Sequence, residues 1–296
     1  MAPFFMLNNF LDYLRSEKRY SEHTCVAYKT DLNQFLKFIG AESQEDISEV
    51  QLNTVRAWVV ELIESDYSTK SAHRKIASVR TFYKWLQRNG DVEENPAQLI
   101  HLPKLNKKLP TFAHVDEIKE ESIEHLFNES FSGIRDRLMF ELLYQTGIRS
   151  AELISLTELN VQKEKIKVIG KRNKERYIPI SNQLYQLVRK YLDLKEKHGV
   201  VNDLLIVLNN GKKIYPKFVY RKINDYLSRA TELSVKSPHV LRHTFATHML
   251  NSGAGLEVLK DLLGHSNLSA TQVYTHNSFA QLTSIYSQSH PRGTKK

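Results

Sequence analysis

Residues 237–276 read SPHVLRHTFATHMLNSGAGLEVLKDLLGHSNLSATQVYTH, and the rest of the chain is organised around this stretch. Ser237 and Pro238 predict a helix start, with Ser as N-cap and Pro at the first helical position, where its missing N–H costs nothing. His239 and Arg242 then project from neighbouring directions on one face of the first turn. Free N–H groups and the macrodipole favour an anion there. The planar fork of Arg can grip two phosphate oxygens, and His can accept or donate a proton near neutral pH. Taken alone, such a pair is more often a solvated surface feature. His239 and His243 also have the i, i+4 spacing of a zinc-binding helix. The general-base Glu of that motif is missing and Arg242 would set a positive charge beside the cation, so no metal site is expected.

With 296 residues the chain has room for two domains of ordinary size, each able to bury a core. No apolar run reaches the roughly 18 to 20 residues of a membrane span, and the opening MAPFFML lacks the basic start and cleavage site of a signal peptide. Cys25 is the only cysteine, which rules out internal disulfides and cysteine-based zinc sites and points to a reducing cytoplasm. Lys and Arg (42) outnumber Asp and Glu (33), giving +9, and the excess is uneven. Residues 1–100 hold 12 basic and 14 acidic side chains, so the remainder holds 30 and 19. That positive field suits nucleic acid, since no amphipathic anchor or lipidation signal points to a membrane.

In chain order, apolar spacing predicts two helices within 4–40, a third over about 48–65 and a fourth over about 69–89, a compact helical domain. On the fourth helix Lys70, Arg74, Lys84 and Arg88 fall within about 80° of arc, with Arg80 just outside. No acidic residue lies between Asp66 and Asp91, so this one-sign stripe is expected to lie along DNA phosphates. Residues 91–110 carry Pro96, Pro103 and Pro110 with Lys104, Lys107 and Lys108, and read as a basic linker. The expected domains are therefore 1–90, a helical DNA-binding domain, and 111–296, separated by that linker.

The second domain should open with helices at about 115–129 and 132–146, ending at Gly147 in the left-handed conformation. Arg149 follows, either a partner of Glu152 or a functional cation. Residues 161–180 switch to a strand pattern with a basic tip carrying Lys171, Arg172 and Lys174. Arg172 and Lys174 suit phosphate contact, and a Lys at the tip can also donate a proton to a leaving oxygen, which a guanidinium cannot. Helices at about 182–197 and 216–231 flank a second hairpin at 209–211, and a last helix covers 278–288. The fold class is mainly α with small β-hairpins (α+β).

Five motifs now stand in order: TGIRSAEL around Arg149, VIGKRNKERYIPI around Lys171, SPHVLRHTFATHML around His239 and Arg242, LLGHSNL around His265 and SATQVYTH around Tyr274. Together they resemble the Xer group of the tyrosine recombinase (phage integrase) family, over residues 5–292, and the ending FAQLTSIYSQSHPRG is closer to its XerC than to its XerD branch. The resemblance implies a SAM-like core-binding domain followed by a catalytic domain. It implies Tyr274 as the nucleophile of a 3′-phosphotyrosyl intermediate, Arg149 and Arg242 on the non-bridging oxygens, and Lys171 as proton donor to the 5′-oxygen. His239 would accept the phenol proton and His265 would be a second donor to the phosphate. No cofactor, metal or ATP is implied. The implied partners are a double-stranded DNA recombination site, a paralogous Xer recombinase in a tetramer on two sites, and a DNA translocase, with no membrane. The last helix would pass to a neighbouring subunit. The implied task is resolution of chromosome dimers at cell division; an integrase of a mobile element and a non-catalytic architectural DNA-binding protein are the competing readings.

Overall fold

The computed structural model describes residues 2–65, 67–102, 104, 111–170, 174–264 and 276–293. The chain forms two compact units, Met1–Lys108 and Leu109–Lys296.

The first unit is helical: α1 (Ala2–Ser16), α2 (Glu22–Phe38), α3 (Gln44–Ser48), α4 (Leu52–Glu64) and α5 (Thr69–Asn89). Ser21 caps α2 by accepting the Thr24 N–H, and Gly90 ends α5 with φ 81°, a conformation that costs Gly nothing. The helix expected from 48 starts instead at Leu52, because Ser43 and Asp46 form a reciprocal capping box that gives α3 its own start. Phe10, Leu14, Phe35, Trp58, Ile76 and Phe82 fill the core. Each such side chain contributes about 1.5–3 kcal/mol relative to exposure. Asp31 is fully buried between α2 and α5, where Lys75 Nζ (3.2 Å), Ser78 Oγ (2.9 Å) and the Arg74 guanidinium all reach its carboxylate.

In the second unit the helix expected over 115–129 is replaced by a 3-10 turn at Asp116–Ile118, α6 (Glu120–Ile123) and a second 3-10 turn at Glu124–Leu126. Lys119 is extended (ψ 153°), and local side-chain bonds compete with a continuous ladder: Ser122 Oγ donates to Asp116 O and Glu117 accepts the His114 N–H. The hub is α7 (Phe131–Thr146), buried along almost its whole length, followed by α8 (Ser150–Ser155). A three-stranded antiparallel sheet comes next, β1 (Val161–Gln162), β2 (Lys165–Ile169) and β3 (Glu175–Pro179), in the order β1-β2-β3. The strand β1 was not expected. Ile166 pairs with Ile178 and Val168 with Arg176, so these four share the buried face. Around α7 lie α9 (Asn182–Lys197), α10 (Pro216–Ala230), α11 (Pro238–Asn251), α12 (Leu256–Leu263) and α13 (His276–Ser289). The second hairpin is reduced to one antiparallel bridge, Val207 with Lys213.

The helix α13 lies against its own unit, with Leu282 and Tyr286 buried in the core. The segment beyond it is also anchored. Arg292 Nη2 donates to Glu141 Oε1 (2.9 Å) and Ile118 O (3.0 Å), and the Arg292 N–H donates to His290 Nδ1 (3.0 Å). Among the described residues no helix is long and apolar enough to cross a membrane.

Candidate active site

The site begins where α7 stops. Gly147 is left-handed (φ 61°), and a Cβ there would meet Phe245 Cδ1 at 2.5 Å and Leu263 Cδ2 at 2.9 Å, so both the turn and the packing require Gly. Its carbonyl accepts from Arg242 Nη1 at 2.5 Å. Two residues on, Arg149 is the N-cap of α8, and the Glu152 carboxylate reaches back to it: Oε2 accepts the Arg149 N–H (2.8 Å) and Oε1 accepts Arg149 Nη1 (2.9 Å). Arg149 is thus both partner of Glu152 and a half-buried cation, with 31% of its side chain accessible.

The far wall is the end of α12, where Gly264 turns left-handed (φ 64°). The last carbonyls of a helix have no partner within it and carry the negative end of its dipole. Here three consecutive carbonyls accept from three guanidiniums: Leu262 O from Arg176 Nε (2.8 Å), Leu263 O from Arg242 Nη2 (2.8 Å) and Gly264 O from Arg149 Nη2 (3.3 Å). Arg176 also grips Glu152 with both Nη atoms, at 2.9 Å each. Each fork has five N–H donors, so Arg149 and Arg242 keep donors beyond those spent among the described residues.

Burial pushes the Glu152 carboxyl up, but the paired bonds from Arg176 and then those from Arg149 outweigh it and hold it below the usual carboxylate range. Burial, reinforced by the neighbouring Arg149 charge, brings Arg242 down to about 10, which leaves it cationic at neutral pH. Arg149 and Arg176 hold the one carboxylate and Arg242 stands on the neighbouring carbonyl Leu263 O, so these four side chains carry an excess of two positive charges. The arrangement can bind an anion and stabilise added negative charge on it.

His239 is exposed in the first turn of α11, with Pro238 at the first position as expected. Ser237 is the N-cap residue, yet its side chain makes no capping bond. His243, one turn on, is also exposed, and burial, His239 and Arg242 lower its pKa. Lys171, Arg172, His265 and Tyr274 lie outside the described residues. They are bracketed by described structure: Gly170 N–H donates to Lys174 O (2.8 Å) across the hairpin tip, and α12 and α13 flank 265–275.

On α5, Lys70, Lys84 and Arg88 are exposed, as is Lys174 on the hairpin. Arg74 is half-exposed and paired with Asp31. Arg80, at the border of the stripe, is engaged within the unit: Nε donates to Ala97 O (3.0 Å) and Nη2 to Ile100 O (3.1 Å). Arg176 is a site residue that the sequence motifs do not single out. Its register was the available signal, because in ERYIPI it alternates with Ile178 and Ile180, and an Arg on that face must be buried with a partner.

Comparison with known proteins agrees with this architecture. Residues 115–281 match the Phage integrase family, and residues 7–90 match the Phage integrase, N-terminal SAM-like domain. The chain is 40% identical over 296 residues to the tyrosine recombinase XerC of Anoxybacillus flavithermus, covering 97% of this chain and 98% of that one. It is 37% identical over 294 residues to XerC of Bacillus subtilis, covering 97% and 96%. Among solved structures, the XerH site-specific recombinase in a post-cleavage complex with palindromic difH substrate shares the fold, with TM-score 0.71 and 21% identity over 95% of this chain and 83% of that one. So does a lambda integrase(75-356) dimer bound to a COC′ core site, with TM-score 0.69 and 15% identity over 93% and 100%.

Proposed function

Because this chain belongs to the XerC family of tyrosine recombinases, within the phage integrase family, we propose that it resolves chromosome dimers by cutting and rejoining DNA through Tyr274. It is a site-specific DNA breaking and rejoining enzyme. The Tyr274 phenol oxygen attacks a backbone phosphorus, the bond to the 5′-oxygen breaks, and a 3′-phosphotyrosyl link forms. Lys171 gives the departing 5′-oxygen its proton, His239 takes the phenol proton and His265 donates to the phosphate. The 5′-hydroxyl of the exchanged strand then attacks the same phosphorus and Tyr274 leaves. One phosphodiester is traded for another at each step, so the chemistry needs neither ATP nor a metal.

The observation that carries this reading is the mounting of Arg149 and Arg242 on adjacent carbonyls, Gly264 O and Leu263 O, with donors left over. Two fixed guanidiniums suit two non-bridging oxygens, and one well-placed donor to such charge is worth roughly 3–4 kcal/mol. Residues 1–90 would be the core-binding domain, with Lys70, Arg74, Lys84 and Arg88 on DNA phosphates, and Arg80 through the donors its carbonyl partners leave. The linker 91–110 joins it to the catalytic domain 111–296, whose hairpin adds Arg172 and Lys174. The working assembly would be a tetramer on two sites with a paralogous recombinase, in the cytoplasm, under control of a DNA translocase.

The test is a nicked duplex carrying a chromosomal dimer-resolution site, incubated without metal with wild type or Tyr274→Phe and run on a denaturing gel. A covalent protein–DNA band with wild type alone is expected. Attachment by both proteins would remove Tyr274 as the nucleophile, and attachment by neither would remove the reading for that site.

A further inference from the structure

Arg176 occupies a position that packing alone does not explain. It stands on the buried face of β3 among Ile166, Val168 and Ile178, where an apolar side chain would fill the space without bringing a charge out of water. Among the described residues its side-chain bonds go to two places: the Glu152 carboxylate, through both Nη atoms, and Leu262 O, through Nε. From Glu152 the contact continues to Arg149, and from Leu262 the chain continues to the carbonyls that hold Arg242 and Arg149.

We propose that Arg176 is a positioning residue for DNA cleavage: by taking the Glu152 carboxylate in a bidentate grip, it keeps Arg149 from closing onto that carboxylate and leaves Arg149 free to hold a DNA phosphate. The inference rests on the assignment of Arg149 above. The geometry has the required asymmetry, since Arg176 meets the carboxylate fork to fork while Arg149 meets it with the single side-chain nitrogen Nη1. Exposure follows the same division: the Arg176 and Glu152 side chains are 6% accessible and that of Arg149 is 31%. Without Arg176, Arg149 is the cation still bonded to the buried carboxylate among the described residues, and an uncompensated buried charge draws its partner in. Arg149 would then lose donors to Glu152, and the excess of two positive charges would fall to one as phosphorus takes on a second negative charge in the transition state.

Charge sharing has a signature that a structural clamp lacks. If Arg176 works by occupying Glu152, then neutralising Glu152 should repair its loss. Arg176→Gln, the double variant Arg176→Gln/Glu152→Gln and wild type are compared on the nicked duplex for the rate of covalent attachment and for DNA affinity, with hydrogen exchange of α7 as the check on folding. Arg176→Gln should cut roughly 10- to 100-fold more slowly, the scale of a misplaced catalytic group, with affinity nearly unchanged, and the double variant should regain most of that rate. A wild-type rate in Arg176→Gln overturns the proposal, as does a double variant as slow as the single one while α7 stays protected. Should Arg176→Gln fail to fold, Arg176→Lys carries the test: a single ammonium cannot replace the fork, so slower cutting at unchanged affinity supports the proposal and a wild-type rate overturns it. Failure of wild type itself to attach to DNA would instead sink the functional reading beneath it.

Discussion

Acid should destabilise the catalytic unit through one buried imidazole, His290, and substitution by Phe should remove that sensitivity. His290 packs its ring against Tyr286 (5.1 Å between centroids), Tyr144 (5.0 Å) and Phe245 (5.5 Å), and its Nδ1 accepts the Arg292 N–H. Burial, with the Arg292 charge in second place, pushes its pKa down to about 3, against about 6.5 in an unfolded chain. Above pH 6.5 neither state holds the proton, so the group adds nothing. Between the two values the unfolded chain binds a proton that the native chain excludes, so stability falls as pH falls, by about 1.4 kcal/mol per unit. At pH 5 the loss is about 2 kcal/mol. The variant His290→Phe keeps the aromatic packing and forfeits the acceptor for the Arg292 N–H, a cost of about 1–3 kcal/mol that does not vary with pH. It should therefore be the less stable protein at pH 7 and should draw level towards pH 5. His248, whose pKa burial also lowers, is common to both proteins and largely cancels. Both tryptophans, Trp58 and Trp85, lie in the first unit, so fluorescence would miss the event. Hydrogen exchange of α7 amides at pH 7, 6 and 5, corrected for intrinsic rates, reads the right unit. A difference between the two proteins that stays constant within about 0.5 kcal/mol from pH 7 to 5 would refute the linkage.

Two further perturbations probe each unit separately. Asp31→Asn leaves the buried Lys75 ammonium without its carboxylate and should destabilise the first unit by about 3–5 kcal/mol; tryptophan-detected urea unfolding reads this directly, and a midpoint within error of wild type would contradict it. Gly147→Ala combines a left-handed backbone with a Cβ 2.5 Å from Phe245, so more than about 1 kcal/mol of stability should go, with the Gly147 carbonyl displaced from Arg242. DNA cleavage should fall alongside exchange protection of α7, and normal values of both would show that the turn tolerates a side chain.

Much of the fold was legible because local signals agree with global ones. Ser21 and Gly90 mark helix ends that the structure keeps, and the strand alternation in KIKVIG pairs as expected with that in ERYIPI. The segment 115–129 misled because its apolar spacing is helical while Asp116, Glu117 and Ser122 bond locally and break the ladder. On α5 the wheel gathered the basic residues by angle, and angle does not reveal that Asp31, 43 residues before Arg74, sits beneath the stripe, or that the 97–100 turn takes up Arg80.

The sequence by itself determined most of the helices, the pairing of KIKVIG with ERYIPI, the family and the identity of the residues proposed to do chemistry, since these rest on local spacing and on motifs contiguous in the chain. Only the tertiary structure decided how Arg149 and Arg242 are held. Their supports come from Gly147, Glu152 and the last turn of α12, separated by about a hundred residues of chain and joined through an arginine whose partner lies on another element. A helix end must satisfy its carbonyls, and a buried carboxylate must find cations, but which side chains meet those demands depends on which elements fold into contact.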